Sequence, residues 1–316
     1  MTTGVKAKDS QLSISLIILG IGLGAVTLWF FWPALQDMYD RWSKDARYSH
    51  GYLVPVFSLF LLWYRRSMIS GVALKTNIWG LVPILLGAAL KLAGGGYGVV
   101  WLDGISLLPC LAGVVMLCGG VPALRWSWPA IAFLFFMVPL PYRAEIGVGA
   151  PLQWIATRTS TYALQTFGLP ALAEGNVIAI GEARINVVEA CNGLGMLMMF
   201  LAYAAAAALI IDRPPLDRIL IVLGAVPIAI FANISRITVT GLLHVTAGGP
   251  IADKVYHDLA GWLMMPLALA TLWLELQILS LLFVPTEPLL DTIRVNASEF
   301  RGAKTSDARF PRPKKG

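Results

Sequence analysis

The sequence predicts an all-α, polytopic integral membrane protein with about eight transmembrane helices and a small external insertion made of one helix and a β-hairpin. Three observations predict it. Hydrophobic residues fill 57% of the 316 positions and charged residues only 13%, against about a quarter charged in soluble domains, and mean hydropathy is +0.72. The apolar residues come in blocks close to the ~20 residues a helix needs to cross a hydrocarbon core. The basic residues sit in short loops and a tail, not in one stripe. The net charge of +6 is therefore a topology signal, and nucleic acid is excluded as a partner.

The expected spans run, in order, over Ser13 to Trp32, Gly51 to Tyr64, Ile78 to Val100, Gly104 to Val121, Ser127 to Pro141, Gly193 to Ile211, Leu216 to Ser235 and Leu259 to Val284. The first follows Lys6 and Lys8, lacks a small-residue cleavage site and leads into further spans, so it reads as a signal anchor. The second and fifth are short, which leaves open whether 51–64 and 127–141 cross fully. Residues 1–284 form the transmembrane domain, with 142–190 as its external segment. Residues 285–316, rich in proline and charge, form a mobile tail that cannot bury a core.

Cytoplasmic loops carry the excess of Lys and Arg. An even number of spans puts Lys6, Lys8, Arg65, Arg66, Lys75, Arg125, Arg213, Arg218 and the basic tail on one side, which is then cytoplasmic with both termini. The other side carries basic residues beside acids: Arg41 and Lys44 with Asp40 and Asp45, Arg143 with Glu145, Lys254 with Asp253. On that outer side lies the insertion. Val148, Leu152, Ile155, Ala156, Ala163 and Phe167 share one helical face, opposite Thr157, Arg158 and Ser160, as in a helix lying in the interface. Alternation over Val177–Ile180 and 184–188 around Gly181-Glu-Ala predicts the hairpin.

The hairpin leads to Cys191, which ends a polar stretch and precedes the helix beginning at Leu194. A membrane cysteine is ordinarily a small hydrophobe, as Cys110 and Cys118 are inside an apolar block. At a helix start the thiol meets unpaired N–H groups and the positive dipole end, which favour a thiolate and a developing oxyanion. Glu189 raises its pKa and an arginine lowers it. Arg236 is that arginine, costly so near a membrane core and therefore a functional candidate over a snorkelling anchor. Asn233, Arg236, Thr240 and His244 recur at i, i+3, i+7 and i+11 and share one face if the helix continues to Gly248. His50, His244 and His257 compete as the base, with His257 beside Asp253 and Asp258, and His244 on the Arg236 face. With no HExxH and no His pair at i, i+4, neither metal nor other cofactor is expected.

In Ser49-His50-Gly51 with Pro55, Val188-Glu-Ala-Cys191-Asn-Gly-Leu194, Asn233-Ile-Ser-Arg236 and His257-Asp-Leu-Ala-Gly261-Trp262, the chain resembles the exosortase/archaeosortase family of membrane cysteine transpeptidases, from Ser49 to Val284. The resemblance implies Cys191 as nucleophile, Arg236 as its arginine and, through Gly261-Trp262, His257 over His244 as its histidine. Glu189, Asn192, Asn233, His244 and His50 stand as supporting or substrate-binding residues. Asn192 occupies a position where the family more often has serine, which points to a subtype with its own sorting signal.

The resemblance implies a thiol protease of the bacterial inner membrane with its active site on the periplasmic face. Its substrates are exported proteins ending in a Pro-Glu-Pro-like motif, a membrane helix and a basic cluster. The partners are those proteins, the bilayer and an acceptor nucleophile that the sequence does not name. Two other readings start from the residues. In a transporter or polysaccharide-export component, Arg236 would bind an anionic substrate and Lys91 and Glu275 would mark a path. A lipid-linked acyl or glycosyl transferase would more naturally use a carboxylate, histidine or serine.

Overall fold

A computed structural model describes residues 18–72, 74–187 and 193–248, together with Ala270, Thr271, Trp273, Leu274 and Gln277. The chain divides into Met1–Leu272 and Trp273–Gly316. In the second unit the described residues, Trp273, Leu274 and Gln277, are helical and exposed. The first unit is mostly helical. The span expected over Leu259 to Val284 and the tail lie outside the described residues, apart from the five named above.

Three helical runs among the described residues are long and apolar enough to cross a membrane: Ile78–Tyr97, Val100–Met137 and Pro215–Thr246. A bent pair, α1 (Ile18–Phe30) and α2 (Trp32–Lys44), makes up to four. The pair bends by 62° because Pro33 opens α2. Its ring clashes with the carbonyl four residues back and it has no N–H to continue α1. Past the bend α2 is amphipathic, burying Ala34, Met38 and Trp42 at spacings of four.

A 3₁₀ turn over Ala46–Tyr52 joins α2 to α3 (Leu53–Tyr64). The Trp42 indole N–H donates to the Met137 carbonyl at 2.9 Å, and the ring lies on Gly51, where an added Cβ would be 2.4 Å from Trp42 Nε1. Gly51→Ala is therefore expected to displace Trp42, cost about 1–3 kcal/mol by overpacking and lower the thermal unfolding midpoint of the detergent-solubilised protein.

Next come α4 (Leu81–Tyr97), α5 (Val100–Ile105) and α6 (Leu107–Phe133). Small residues bring α4 and α6 together: a Cβ on Gly80 would lie 2.5 Å from the Leu117 amide nitrogen, and one on Gly113 2.6 Å from the Gly80 carbonyl oxygen. The Val100–Met137 run is not one rod. Gly120 has φ 71° and ψ −166°, outside helical geometry and open to glycine alone, and a Cβ on Gly104 would touch Val138 Cγ1 at 2.9 Å. In a straight helix those residues would stand about 50 Å apart. The run therefore folds back at Gly120. Its second arm packs on α3, where the Ser58 hydroxyl donates to the Ala130 carbonyl, Arg65 Nε to the Trp126 carbonyl and the Trp126 indole to the Leu62 carbonyl. Arg65, Arg125 and Lys75, whose carbonyl lies beneath Gly120, thus gather at one end of the helices. Tyr48, Met137 and Glu145 mark the opposite end.

The external segment differs from expectation. Helix α7 spans Tyr142–Thr166, beginning six residues before the expected stretch, and it buries Ala156, Thr157, Ser160, Thr161 and Leu164 while Val148 and Phe167 are exposed. Of the face read as apolar, Ala156 is buried, Leu152, Ile155 and Ala163 are half-buried and Val148 and Phe167 are exposed, while Ser160 from the face read as polar packs on α9 (Pro215–Thr246), its hydroxyl donating to the Ile234 carbonyl at 3.3 Å. Between membrane helices no hydrophobic force sorts the faces, so small residues that permit close approach take the contact.

Strands β1 (Ala171–Glu174), β2 (Val177–Ile180) and β3 (Ala183–Asn186) form an antiparallel sheet in the order β1-β2-β3. The register pairs Ile178 with Ile185 and with Ala173. β1 was not foreseen, since Ala-Leu-Ala-Glu carries little strand signal. Ile178, Ile180, Ala171 and Val187 join Leu164 and Ile237 in a small core that caps α7 and α9. Helix α8 (Leu194–Ile210) then leads to α9. The 32 residues of α9 reach about 48 Å, some 18 Å more than the hydrocarbon core. The C-terminal part of α9 packs on α7 and the sheet, where a Cβ on Gly241 would lie 3.0 Å from Leu164 Cδ1 and 3.4 Å from Ile185 Cδ1.

Candidate active site

Of the expected site residues, Asn233 and Arg236 lie beside the entry of α8. Gly193, the N-cap, has φ +85°, and a Cβ there would lie 3.0 Å from Asn233 Nδ2. Asn233 is 2% exposed. One turn along α9, Arg236 Nη2 donates to Asn233 Oδ1 at 2.9 Å. The asparagine thus ties the arginine of α9 to the entry of α8. Thr240 is buried and His244 half-buried, so α9, helical to Thr246, carries all four residues of the expected polar stripe. His244 stands about 12 Å beyond Arg236 along the axis.

The 46–52 turn closes the other flank. Arg47 lies against the second residue of α8: a Cβ on Gly195 would be 2.9 Å from Arg47 Cα. Arg47 grips Asp45 through Nε at 3.0 Å and Nη2 at 2.7 Å, and the Asp45 carboxylate also accepts the Arg47 backbone N–H at 3.1 Å. Burial raises the Asp45 pKa, but the Arg47 hydrogen bonds and charge outweigh it and hold the carboxyl below its ordinary value. Behind this pair is Glu145, 6% exposed, from the first turn of α7. Its Oε1 accepts from the Tyr48 hydroxyl at 2.6 Å and from Arg41 Nη2 at 2.9 Å, and its Oε2 lies 3.7 Å from Arg47 Nη2. Burial, then the bond to Glu145, pushes the Tyr48 pKa well up, so the phenol remains a donor at neutral pH.

His50 is 3% exposed in the same turn, its ring 6.5 Å from that of Tyr48. Its Nε2 meets no hydrogen-bond partner among the described residues. Burial pulls its pKa below the ordinary value, with the Phe136 and Arg47 carbonyls pulling the other way. Glu189, Cys191, Asn192 and His257 lie outside the described residues. Among the described residues no group of three or more His, Cys, Asp or Glu is placed to hold a metal ion, and Cys110 and Cys118 are buried free thiols.

The family model Transmembrane exosortase (Exosortase_EpsH) matches residues 42–274, well over half the chain. The chain belongs to the transmembrane exosortase family. No curated protein and no solved structure matches it. Exosortases sit in a lipid membrane and act on sorting-signal substrates, and membership implies a membrane transpeptidase or protease.

In this exosortase the sequence reading missed Arg41, Asp45, Arg47, Tyr48 and Glu145 as a connected set. Glu145 was read beside Arg143; its partners lie 97 and 104 residues away. The available signal was Arg47 itself, a cation three residues before His50 between two helices. Glu145→Ala is expected to leave Tyr48 and Arg47 short of an acceptor in a buried place. The expected cost is about 3 kcal/mol, at the low end for a broken buried pair because Arg41 is half-exposed. Thermal unfolding of the purified protein measures it, with Tyr48→Phe losing about 1 kcal/mol.

Proposed function

We propose that this exosortase is a cysteine transpeptidase or protease that removes C-terminal sorting signals from exported proteins through a thioester acyl-enzyme. The observation that carries the reading is the Asn233–Arg236 pair packed against Gly193, the N-cap of α8. Cys191 is two residues before Gly193, and two trans peptides span at most about 7 Å. In this reading the Arg236 guanidinium and the positive end of the α8 dipole stabilise the thiolate and the oxyanion.

In the reaction the Cys191 sulfur attacks the scissile carbonyl after His257 takes the thiol proton. Arg236 and the first N–H groups of α8 hold the oxyanion. The C–N bond then breaks, His257 returns the proton to the leaving amine, and the acyl group remains on sulfur as a thioester. A water, amine or hydroxyl acceptor attacks the thioester, transfers the acyl group and regenerates the thiol.

The topology of this reading is eight spans with α6 contributing two arms. Both termini and the Arg65, Lys75 and Arg125 end face the cytoplasm of a bacterial inner membrane, and the Glu145 end faces the periplasm. Charge bias supports that orientation. The substrate tail is a Pro-Glu-Pro-like motif, a membrane helix and a basic cluster, which holds its scissile bond at the outer surface. Co-expression with a Pro-Glu-Pro-tailed secreted protein tests the reading. Mass spectrometry is expected to show a product shortened at the motif, with any acceptor as an added mass. An unprocessed tail in the presence of folded exosortase overturns it.

A further inference from the structure

A second polar site lies away from the α8 entry, where the ends of α1 and α4 meet α2 and α5. A cavity of about 610 Å³ is lined there by Phe30, Asp37, Lys91, Asp103, the Gly94–Gly96 run and Val100, among others. Lys91 stands six residues before the end of α4, about 9 Å below it along the axis of a candidate span. A lysine so placed ordinarily snorkels to water. This one turns inward to an ion pair with Asp103, and its ammonium lies 4.6 Å from the Phe31 ring and 5.1 Å from that of Phe30. The described residues give it no relay partner beyond Asp103, and the proposed reaction makes no use of it.

We infer that this cavity binds the zwitterionic head group of a phosphoethanolamine lipid. Its charge decides the class: Lys91 with Asp37 and Asp103 sums to −1, which disfavours a purely anionic ligand. A primary ammonium can donate to the carboxylates while the adjoining phosphate meets Lys91. A quaternary ammonium has no proton to donate to them. The wall is built for a lipid instead of a free solute. Gly95, Gly96 and Gly98 leave it bare, with nothing within 4 Å of an added Cβ, and Leu92, Tyr97 and Val100 around it are 77%, 83% and 66% exposed. Acyl chains leaving the cavity would lie on that apolar surface. Asp37, exposed and outside every ion pair among the described residues, then gains its partner from the lipid.

Native mass spectrometry of the detergent-solubilised full chain, titrated with phosphatidylethanolamine, phosphatidylglycerol or phosphatidylcholine, tests the assignment. The expected result is at least about five-fold tighter binding of phosphatidylethanolamine, lost in Asp37→Asn and Lys91→Met and kept in Asp40→Asn, whose carboxylate pairs with Lys44 on the exposed side of α2. Asp37→Asn removes no described ion pair, so its loss of binding reports on the cavity and not on folding. Equal binding of the three lipids, or unchanged preference in Asp37→Asn, overturns the inference. Water-soluble phosphoethanolamine is expected not to compete at equal concentration; competition would make the ligand a free solute and overturn the lipid assignment.

Discussion

Cys191→Ala is expected to leave the sorting tail on a co-expressed substrate, a loss of about ten-thousand-fold or more in processing rate. The size follows from what a nucleophile does. Without the sulfur no acyl-enzyme forms, the reaction must proceed by direct attack of water, and what survives is the contribution of binding and oxyanion stabilisation alone. The measurement is the ratio of tailed to shortened substrate by mass spectrometry, normalised to exosortase abundance. Cys110→Ala serves as the matched control, since that thiol is buried in α6, and it is expected to process normally. Full activity in Cys191→Ala would end the cysteine mechanism. If Arg236→Ala were then inactive, an anion-binding transport role would take its place.

Arg236→Ala is expected to lower kcat/KM by about a hundred- to a thousand-fold, the range for removing one preorganised oxyanion donor. Arg236→Lys is expected to recover little of this. The guanidinium donates to Asn233 Oδ1 through Nη2, which fixes the plane of its fork, and a lysine ammonium supplies a point charge with no such plane. Asn233→Ala leaves the charge but frees the fork from α8, so it is expected to cost about ten-fold. Kinetics divided into kcat and KM separate two roles. A fall in kcat fits oxyanion stabilisation, whereas a rise in KM alone would make Arg236 a clamp for a substrate carboxylate.

Local chemistry made much of this protein readable. The hydrocarbon core demands blocks of about 20 apolar residues and punishes buried charge, so the membrane class, the apolar blocks and the cost of Arg236 were written in composition and spacing. The i, i+3, i+7, i+11 stripe on α9 was legible because a helix repeats its faces by simple geometry. The family followed from four short motifs, and the match over residues 42–274 agrees with it.

The inward face of α7 was not legible, because hydrophobicity is a poor compass where the solvent is also apolar. Small Thr157 and Ser160 are buried, with Ser160 bonded to α9, where amphipathic pattern alone would expose them. Nor was the reversal at Gly120, where a single φ of +71° turns one apolar run into two arms.

By itself, then, the sequence determined the membrane class and the family the chain joins, since composition and short motifs depend on neighbours a few positions away. The tertiary structure alone decided that Glu145 braces the Arg47 turn, that Asn233 ties Arg236 to the start of α8, and that Lys91 turns to Asp103 instead of snorkelling to water. Those are pairings across 97, 3 and 12 residues. Even the shortest of them matters only because α8 packs beside α9. Packing chooses partners by position in space, and a buried polar group must find one wherever the fold places it.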